Sequence, residues 1–560
     1  MSGRWHADGA RGLLMALRPE GKEEGRARQV RSRRKETAVV SSLHPVARNY
    51  KQERFTPGMQ SARSLNSKIR RSASMASLCS LVEDNRGELN NVNVATAFYM
   101  LAKLQPRRAG AGGEERMEMQ ESLAVLGSQA MEMISFFDQQ QVANVLWSIA
   151  KMDRPACDEL VVALRRRAAV LMLRGEFAPQ HVANSLWALA KLGERIEGEL
   201  ARAVRTAMLK EVEGLSAQET ATSMWAMAKV GFDPGEEVMR TLVGHANEIV
   251  ASFNAQDVSN FLWASAKLGY VPEEATMVKL RRRTSKIAGD FSAQGIANVL
   301  WAMGTLSSRT GRMAEEEMVR AVCARACEVC EQFNGQAVAN SFWSLAKLGA
   351  ANQQLVVGLT RRMMEVADSL KAQELSNILW AHARLGLTFG EEGLLLLTRR
   401  ASRVSHLFNG QNVANALWAF AKSGRTPCPQ LYRQLKDRAL QLEEELRPQE
   451  ASSMLWSLAK LKDRDETLVL RLLRPPRRIA SLNAQGVANV LWALAALEVK
   501  PEEEAMATLM ARAEAMAPHL NDQATAVCVW SLEKLGEKKR AFSLAFGGRR
   551  EGLREMPEVM

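Results

Sequence analysis

Cys323, Cys327 and Cys330 carry the x3, x2 spacing of thiolates that could hold an iron–sulfur cluster. On a helix they fall at i, i+4 and i+7, which is one narrow face. No strand pattern surrounds them, so they read as a small apolar face. The seven histidines (His6, His44, His181, His245, His382, His406 and His519) are dispersed and form no ligand pattern. Gly110, Gly112 and Gly113 open no strand-to-helix turn, so they do not make a phosphate loop. No nucleophile stands in a recognisable relation to a base. The expectation is a non-enzymatic chain with no catalytic residue, metal or cofactor.

The residues that recur are of another kind. Eleven of the twelve tryptophans are periodic: Trp147, Trp187, Trp225, Trp263, Trp301, Trp343, Trp380, Trp418, Trp456, Trp492 and Trp530, spaced 36 to 42 residues apart. Counted from each Trp, Gln stands at −7 in all eleven units. Asn stands at −3 in eight: Asn144, Asn184, Asn260, Asn298, Asn340, Asn377, Asn415 and Asn489. A basic residue holds +4 in nine, among them Lys151, Lys191, Lys229, Lys267, Lys347, Lys422 and Lys460. At 100° per residue these three positions lie within about 40° of one another, beside the Trp. Position −18 is Arg in seven consecutive units: Arg283, Arg325, Arg362, Arg400, Arg438, Arg474 and Arg512. A row of guanidinium groups at repeat spacing suits a phosphate backbone, amides can read base edges, and aromatic faces can stack bases. The same residues have structural readings. The Gln/Asn stripe could be an internal ladder. The Trp could be inter-repeat core, which is the better-supported reading. The Arg row could pair with neighbouring acids. The +4 cations could simply favour a helix C-terminus.

These residues need elements to hold them. The segment QVANVLWSIAKM (141–152) returns as HVANSLWALAKL (181–192), DVSNFLWASAKL (257–268), AVANSFWSLAKL (337–348), ELSNILWAHARL (374–385), NVANALWAFAKS (412–423) and GVANVLWALAAL (486–497). A degenerate copy, NVATAFYMLAKL (93–104), precedes them with Tyr99 in the Trp place. Ser216, Asn254, Ser292, Asn334, Asn409 and Asn483 are N-cap residues, and Ser216 with Glu219 makes a capping box. Gly193, Gly231, Gly269, Gly349 and Gly386 end the helices that follow. In the preceding half of a unit, Leu280, Ile287 and Phe291 are spaced i, i+7, i+11, as are Leu359, Val366 and Leu370, which predicts one helical stripe. Two short amphipathic helices cannot bury their apolar faces alone, but stacked copies can. The predicted fold is all-α, an α-solenoid of about eleven to twelve two-helix repeats of roughly 38 residues.

The domain boundaries follow from composition. Residues 1–88 read as a disordered basic segment, residues 89–538 as the solenoid, with a degenerate first unit at 89–106 and a loop at 106–116, and residues 539–560 as a short tail. Seventeen Lys and Arg against six Asp and Glu fall within residues 1–80, so most of the formal +13 belongs to this segment and little to the repeats. The segment is Arg-rich and Ser-rich, as an organellar presequence is, although Asp8, Glu20, Glu23, Glu24 and Glu36 count against that reading. A basic tail, or a nuclear signal within 26–35, are its other readings. The seven cysteines are scattered and odd in number, which fits a reducing compartment. No apolar run approaches the roughly 20 residues of a membrane-spanning helix, so no membrane association is expected.

The motif ANxLWALAKLG, repeated about every 38 residues over 90–536, resembles the octotricopeptide repeat of algal organellar proteins. It is also similar to the helical repeats of the FAST-kinase-like family and their apicomplexan counterparts. That resemblance implies an α-solenoid that binds organellar RNA and acts on transcript stability, processing or translation. Many members carry a C-terminal RAP domain, and none is recognisable in the tail EKKRAFSLAFGGRREGLREMPEVM. By the same resemblance the repeat Asn, Lys and Arg residues are the RNA-facing candidates. The expected function is therefore a scaffold for single-stranded RNA, with protein partners besides, in an organelle, the mitochondrion ahead of the plastid. The alternative is an armadillo-like scaffold for an extended peptide, because armadillo repeats also set Asn and Trp on adjacent helical turns. An Arg row without acidic partners would favour RNA, and one locked to Glu would favour peptide.

Overall fold

The computed structural model describes residues 57–104, 113–152, 158–311, 316–349, 352–387 and 390–537. Every regular element among them is helical. The chain divides into two compact bodies, with the boundary between Arg283 and Thr284. Each is an α-solenoid, and each is built from the same hairpin.

The second helix of a hairpin starts at its cap. The Asn254 side chain accepts the Asp257 amide and Asp257 returns the bond to the Asn254 amide; Ser216 and Glu219 do the same. The reciprocal bonds satisfy two amide groups that a helix N-terminus leaves open. After fourteen helical residues the chain turns on Gly193, Gly231, Gly269, Gly349 or Gly386 at φ between 64° and 83°, where a side chain would strain the backbone. Between these ends, positions −5, −1, +2 and +3 are buried, as Val338, Phe342, Leu345 and Ala346 illustrate. Burying each large apolar side chain contributes about 1.5–3 kcal/mol.

In the first body Gln139–Lys151, Pro179–Leu192, Ala217–Val230 and Ala255–Leu268 pack side by side as one layer. Asp158–Leu173, Gly198–Glu211 and Glu236–Ile249 form the other. In the second body the second-helix layer runs from Ala293–Thr310 through Gly335–Leu348, Ala372–Leu385, Gly410–Ser423, Pro448–Lys460 and Ala484–Leu497 to Asp522–Lys534. Its first-helix layer includes Glu316–Val329, Gln353–Val366, Glu391–Val404 and Pro429–Gln441.

The first helices differ from the expected continuous stripe. Gln353–Val366 ends in a single 3-10 turn, Ala367–Ser369, and Leu370 beyond it is extended. Glu274–Lys286, the turn Ala288–Asp290 and Phe291 repeat the pattern. The buried residue at i+11 is thus an elbow plug between the two helices of a hairpin. Phe253, Phe291, Phe333, Leu370 and Phe408 occupy this place with no exposed surface.

The N-terminal boundary also moves. Pro57–Arg71 and Met75–Asp84 are helices, and Leu65, Ile69, Leu78 and Val82 bury against the start of the array. The charge of this stretch hid a sparse apolar periodicity, so disorder to residue 88 does not hold from 57 onward. Residues 1–56, most of the expected 106–116 loop and the tail from 538 lie outside the described residues, as does Cys157. Gly113–Met133 is helical. Among the described residues no helix is long and apolar enough to cross a membrane.

Candidate nucleic-acid interface

The predicted Arg row lies on the first helices, and its guanidinium groups are engaged. Arg283 Nε donates to the Phe253 carbonyl at 2.7 Å, Arg362 to Phe333 at 2.8 Å, Arg400 to Leu370 at 2.8 Å, and Arg438 to Phe408 at 2.8 Å. Arg325 donates to Phe291 at 3.1 Å and Arg512 to Leu482 at 2.6 Å. Each acceptor is the elbow of the preceding unit. The arginine clamps the elbow carbonyl, which sits past the 3-10 turn where no helix bond reaches it. Arg325 and Arg362 also pair with Glu328 at 2.8 Å and Glu365 at 2.6 Å, one turn along their own helices. The row is therefore neither free of partners nor locked chiefly to acids. Its main partner is the backbone.

Arg474 is the exception. It is exposed and pairs with Glu502 at 2.7 Å. Arg478 takes the clamp position instead, 5% exposed, with Nε on the Leu446 carbonyl at 3.0 Å and further bonds to the carbonyls of Arg474 and Glu443. The cause is the Pro475–Pro476 pair. Proline cannot continue a helix, so the first helix breaks into Glu466–Leu472 and Pro476–Ala480, and the register slips by one turn. Two further clamps escaped the sequence count. Arg167 Nε reaches Phe137 at 2.8 Å, and His245 Nε2 lies 2.8 Å from the Leu215 carbonyl. Both stand 30 residues after their elbow, as do Arg283 and Arg400; His245 also holds the −18 position before Trp263 but is not an arginine, whereas Arg167 lies 20 residues before Trp187 and is found only by counting from the elbow.

The second helices present a different row. Gln at −7 is exposed in ten of eleven units and intermediate at Gln411. Asn at −3 is half-buried, or buried at Asn415, and among the described residues its side chain makes no hydrogen bond. The internal ladder lies one residue further on, at −6, rotated 100° inward. There Gln141 accepts from Asn91 Nδ2 at 2.9 Å, and Asn412 Nδ2 donates to Ser376 Oγ at 3.0 Å. Burial raises the Asp257 carboxyl at the same position, with its Asn254 amide bond acting against that.

The Trp rings are the spine of this row. Only Trp301 and Trp380 are buried, Trp530 is exposed, and the rest are half-buried. In the first body Tyr99, Trp147 and Trp187 follow one another at 5.4 and 6.5 Å between centroids. In the second, Trp301 meets Trp343 at 6.4 Å, and Trp380, Trp418, Trp456 and Trp492 form a run at 6.1, 6.4 and 6.3 Å. Neighbouring planes differ by 26° to 36°. The rings thus pack the repeats together and still offer an edge to the surface.

The +4 cations lie along that edge. Lys151 Nζ is 4.6 Å from the centre of Trp147, and Lys534 is 5.6 Å from Trp530. Lys347 lies 5.4 Å from Trp343 and 5.3 Å from Trp380. Among the described residues no carboxylate forms a salt bridge with Lys151, Lys191 or Lys229 in the first body, or with Lys347, Arg384, Lys422 or Lys460 in the second; Lys534 pairs with Glu498 at 3.3 Å. Burial pushes the Lys347 ammonium down to about 8, and Arg384 adds to the effect. Burial lowers Lys267 as well, with Lys229 adding to it. The Lys347 amine would gain by meeting an anion.

Cys323 and Cys330 are buried, and burial pushes both thiols up to about 11. Among the described residues no cluster of His, Cys, Asp and Glu could hold a metal ion.

Comparison with known proteins gives one family. The model of "RNA-editing substrate-binding complex 6 protein" matches residues 109–311 and 303–389, together half of the chain. No curated protein matches significantly. One solved assembly, "Homology model of the full-length AP-3 complex in an intermediate open conformation", aligns over 94% of this chain and 91% of its own at 10% identity and a TM-score of 0.30. The chain belongs to the family of the RNA-editing substrate-binding complex 6 protein.

Proposed function

We propose that this chain is a scaffold for single-stranded RNA in organellar RNA processing, and that the second-helix row of each body receives the RNA. The observation that carries the reading is the set of seven row cations, Lys151, Lys191, Lys229, Lys347, Arg384, Lys422 and Lys460, that form no salt bridge among the described residues, interleaved with indole edges and with −3 amides that make no side-chain hydrogen bond there. Phosphates would neutralise the cations. The amides have donors and an acceptor for base edges, and the indoles offer stacking surface. The matched family's printed name, a substrate-binding complex in RNA editing, supports the same direction. The likeness of the repeat to octotricopeptide and FAST-kinase-like repeats supports an organellar setting, the mitochondrion ahead of the plastid, and protein partners fit a chain of a family named for a complex. In this reading the Arg row holds the repeats in register and the Lys/Asn/Trp row does the binding. The test is fluorescence anisotropy of the full chain with a single-stranded RNA of ~15 nucleotides, longer than eleven units at one base each. Saturable binding that weakens with salt is expected. Equal binding of an acidic peptide, or no saturation with RNA, would overturn the reading.

A further inference from the structure

The second-helix row is nearly uniform along its length. Gln stands at −7 in all eleven units and Asn at −3 in eight, and among the described residues neither side chain makes a hydrogen bond. The three departures at −3 are Thr222, Ser453 and Val527. The neighbouring position −6 is the one that varies, with Gln141, His181, Glu219, Asp257, Gly295 and Ala337 in the first six units. Its side chains are already used. Glu219, Asp257, Glu374 and Glu450 each accept the amide of their own N-cap residue at 2.8 to 3.0 Å. His181 Nδ1 lies 3.1 Å from Gln139 Oε1, and Asn412 donates to Ser376. The residues that change along the array are therefore engaged, and those with open polar atoms hardly change.

We infer that the row distinguishes the base composition of a single strand and is blind to the order of its bases. The inference rests on the RNA reading of this row and names the class of RNA, a low-complexity tract and best of all a run of one base. A protein that tells order apart sets different side chains at successive steps, as repeat proteins that meet one base per unit with two or three side chains do. Here each step offers the same pair of amides, with donor and acceptor side by side. Exchanging two bases along the strand exchanges two identical contacts and leaves the sum unchanged. Changing composition alters the same contact in many units at once, and the effects compound. Spacing keeps the units independent. Where rings of neighbouring units meet, their centroids recur every 6.1 to 6.5 Å. That is almost twice the rise of about 3.4 Å between stacked bases, so a strand held at one nucleotide per unit is unstacked and each base meets its own unit. At Thr222 and Ser453 a hydroxyl, which accepts any base edge, replaces the amide, and Val527 offers no polar atom, so these steps impose no competing preference.

The experiment measures anisotropy of the full chain with labelled RNAs of ~15 nucleotides, the length that exceeds one base per unit. The set is oligo(A), oligo(C), oligo(U), the triplet ACU repeated, and two scrambles of that repeat with every run kept short. The three mixed orders should bind within about twofold of one another, whereas a protein that tells order apart separates them by roughly tenfold for each displaced base. The homopolymers should differ by at least about tenfold between best and worst, with the mixed RNAs in between. Asn184→Ala, Asn340→Ala and Asn489→Ala, with folds checked by circular dichroism, should each weaken the best homopolymer by a similar factor, and the triple variant should narrow the spread among homopolymers. Mixed orders that differ by about tenfold, homopolymers bound alike, or a spread that the triple variant leaves intact would overturn the inference while the RNA reading stands. Failure of every RNA to saturate would overturn both.

Discussion

The first-helix layer and the second-helix layer both carry a periodic row of basic residues, and the two rows do different work. On the first helices Arg362, Arg400 and Arg438 each give Nε to an elbow carbonyl of the unit before. On the second helices Lys347, Lys422 and Lys460 meet no carboxylate within salt-bridge distance among the described residues. Periodicity alone therefore does not mark a ligand contact in a repeat protein. A residue that recurs because each repeat must grip the next is as regular as one that recurs because a polymer runs past. What separates them is whether the polar atoms are already used.

The comparison can be broken most forcefully at Trp418, which belongs to both roles. It stacks on Trp380 and Trp456 and shows an edge beside the cation row. Trp418→Ala should lower unfolding stability by ~3 kcal/mol, the low end for aromatic truncation because the ring is half-buried. It should weaken RNA binding as well; chemical denaturation and anisotropy read the two effects. A loss of only one would assign the ring to a single role.

Next comes the separation itself. Lys347→Gln, Lys422→Gln and Lys460→Gln together should reduce RNA affinity by roughly ten- to a hundredfold near 0.1 M salt while leaving the denaturation midpoint unchanged or slightly higher. Arg438→Ala should do the opposite. It frees the Phe408 carbonyl and should cost about 1–3 kcal/mol of stability, with RNA affinity per folded molecule retained. An Arg438→Ala protein that keeps its stability but loses RNA would merge the two rows into one.

The smallest effect is in pH. Lys347 titrates near 8 in the folded chain, below its ordinary value. The unfolded chain therefore holds more protons between about pH 8 and 10.4, and folding stability at this residue rises with pH through that window. Thermal midpoints of the wild type measured against Lys347→Gln should converge as pH increases. A bound phosphate acts in the reverse sense and draws a proton back onto Lys347. RNA affinity should then fall above pH 8 in the wild type and fall less in Lys347→Arg, whose guanidinium stays charged.

Much of the fold is legible in the residues. Helix starts follow from Asn254 and Ser216, helix ends from the left-handed glycines, and the hairpin repeat from the Trp spacing. The elbow is not legible, because Leu370 and Phe291 keep a helical i, i+11 spacing although a 3-10 turn intervenes. Of the candidate interface, the Gln, Asn and Lys positions share one face as their angles require. What sequence could not show is which polar atoms are spoken for. The Arg clamp needs an acceptor about 30 residues earlier in the chain, and only the packed structure brings the two together. Likewise the inward ladder at −6 and the outward row at −7 are adjacent letters, separated only by a rotation.

The most direct test sets two matched pairs of substitutions side by side, Lys422→Gln with Lys460→Gln and Arg400→Gln with Arg438→Gln, and measures RNA affinity against salt for each folded protein. The lysine pair should flatten the dependence of log K on log salt by about 1.4, two phosphate contacts at 0.7 each for single strands, and the arginine pair should leave it at the wild-type value. A slope that changes with the arginines and not with the lysines would contradict the division of labour between the two rows.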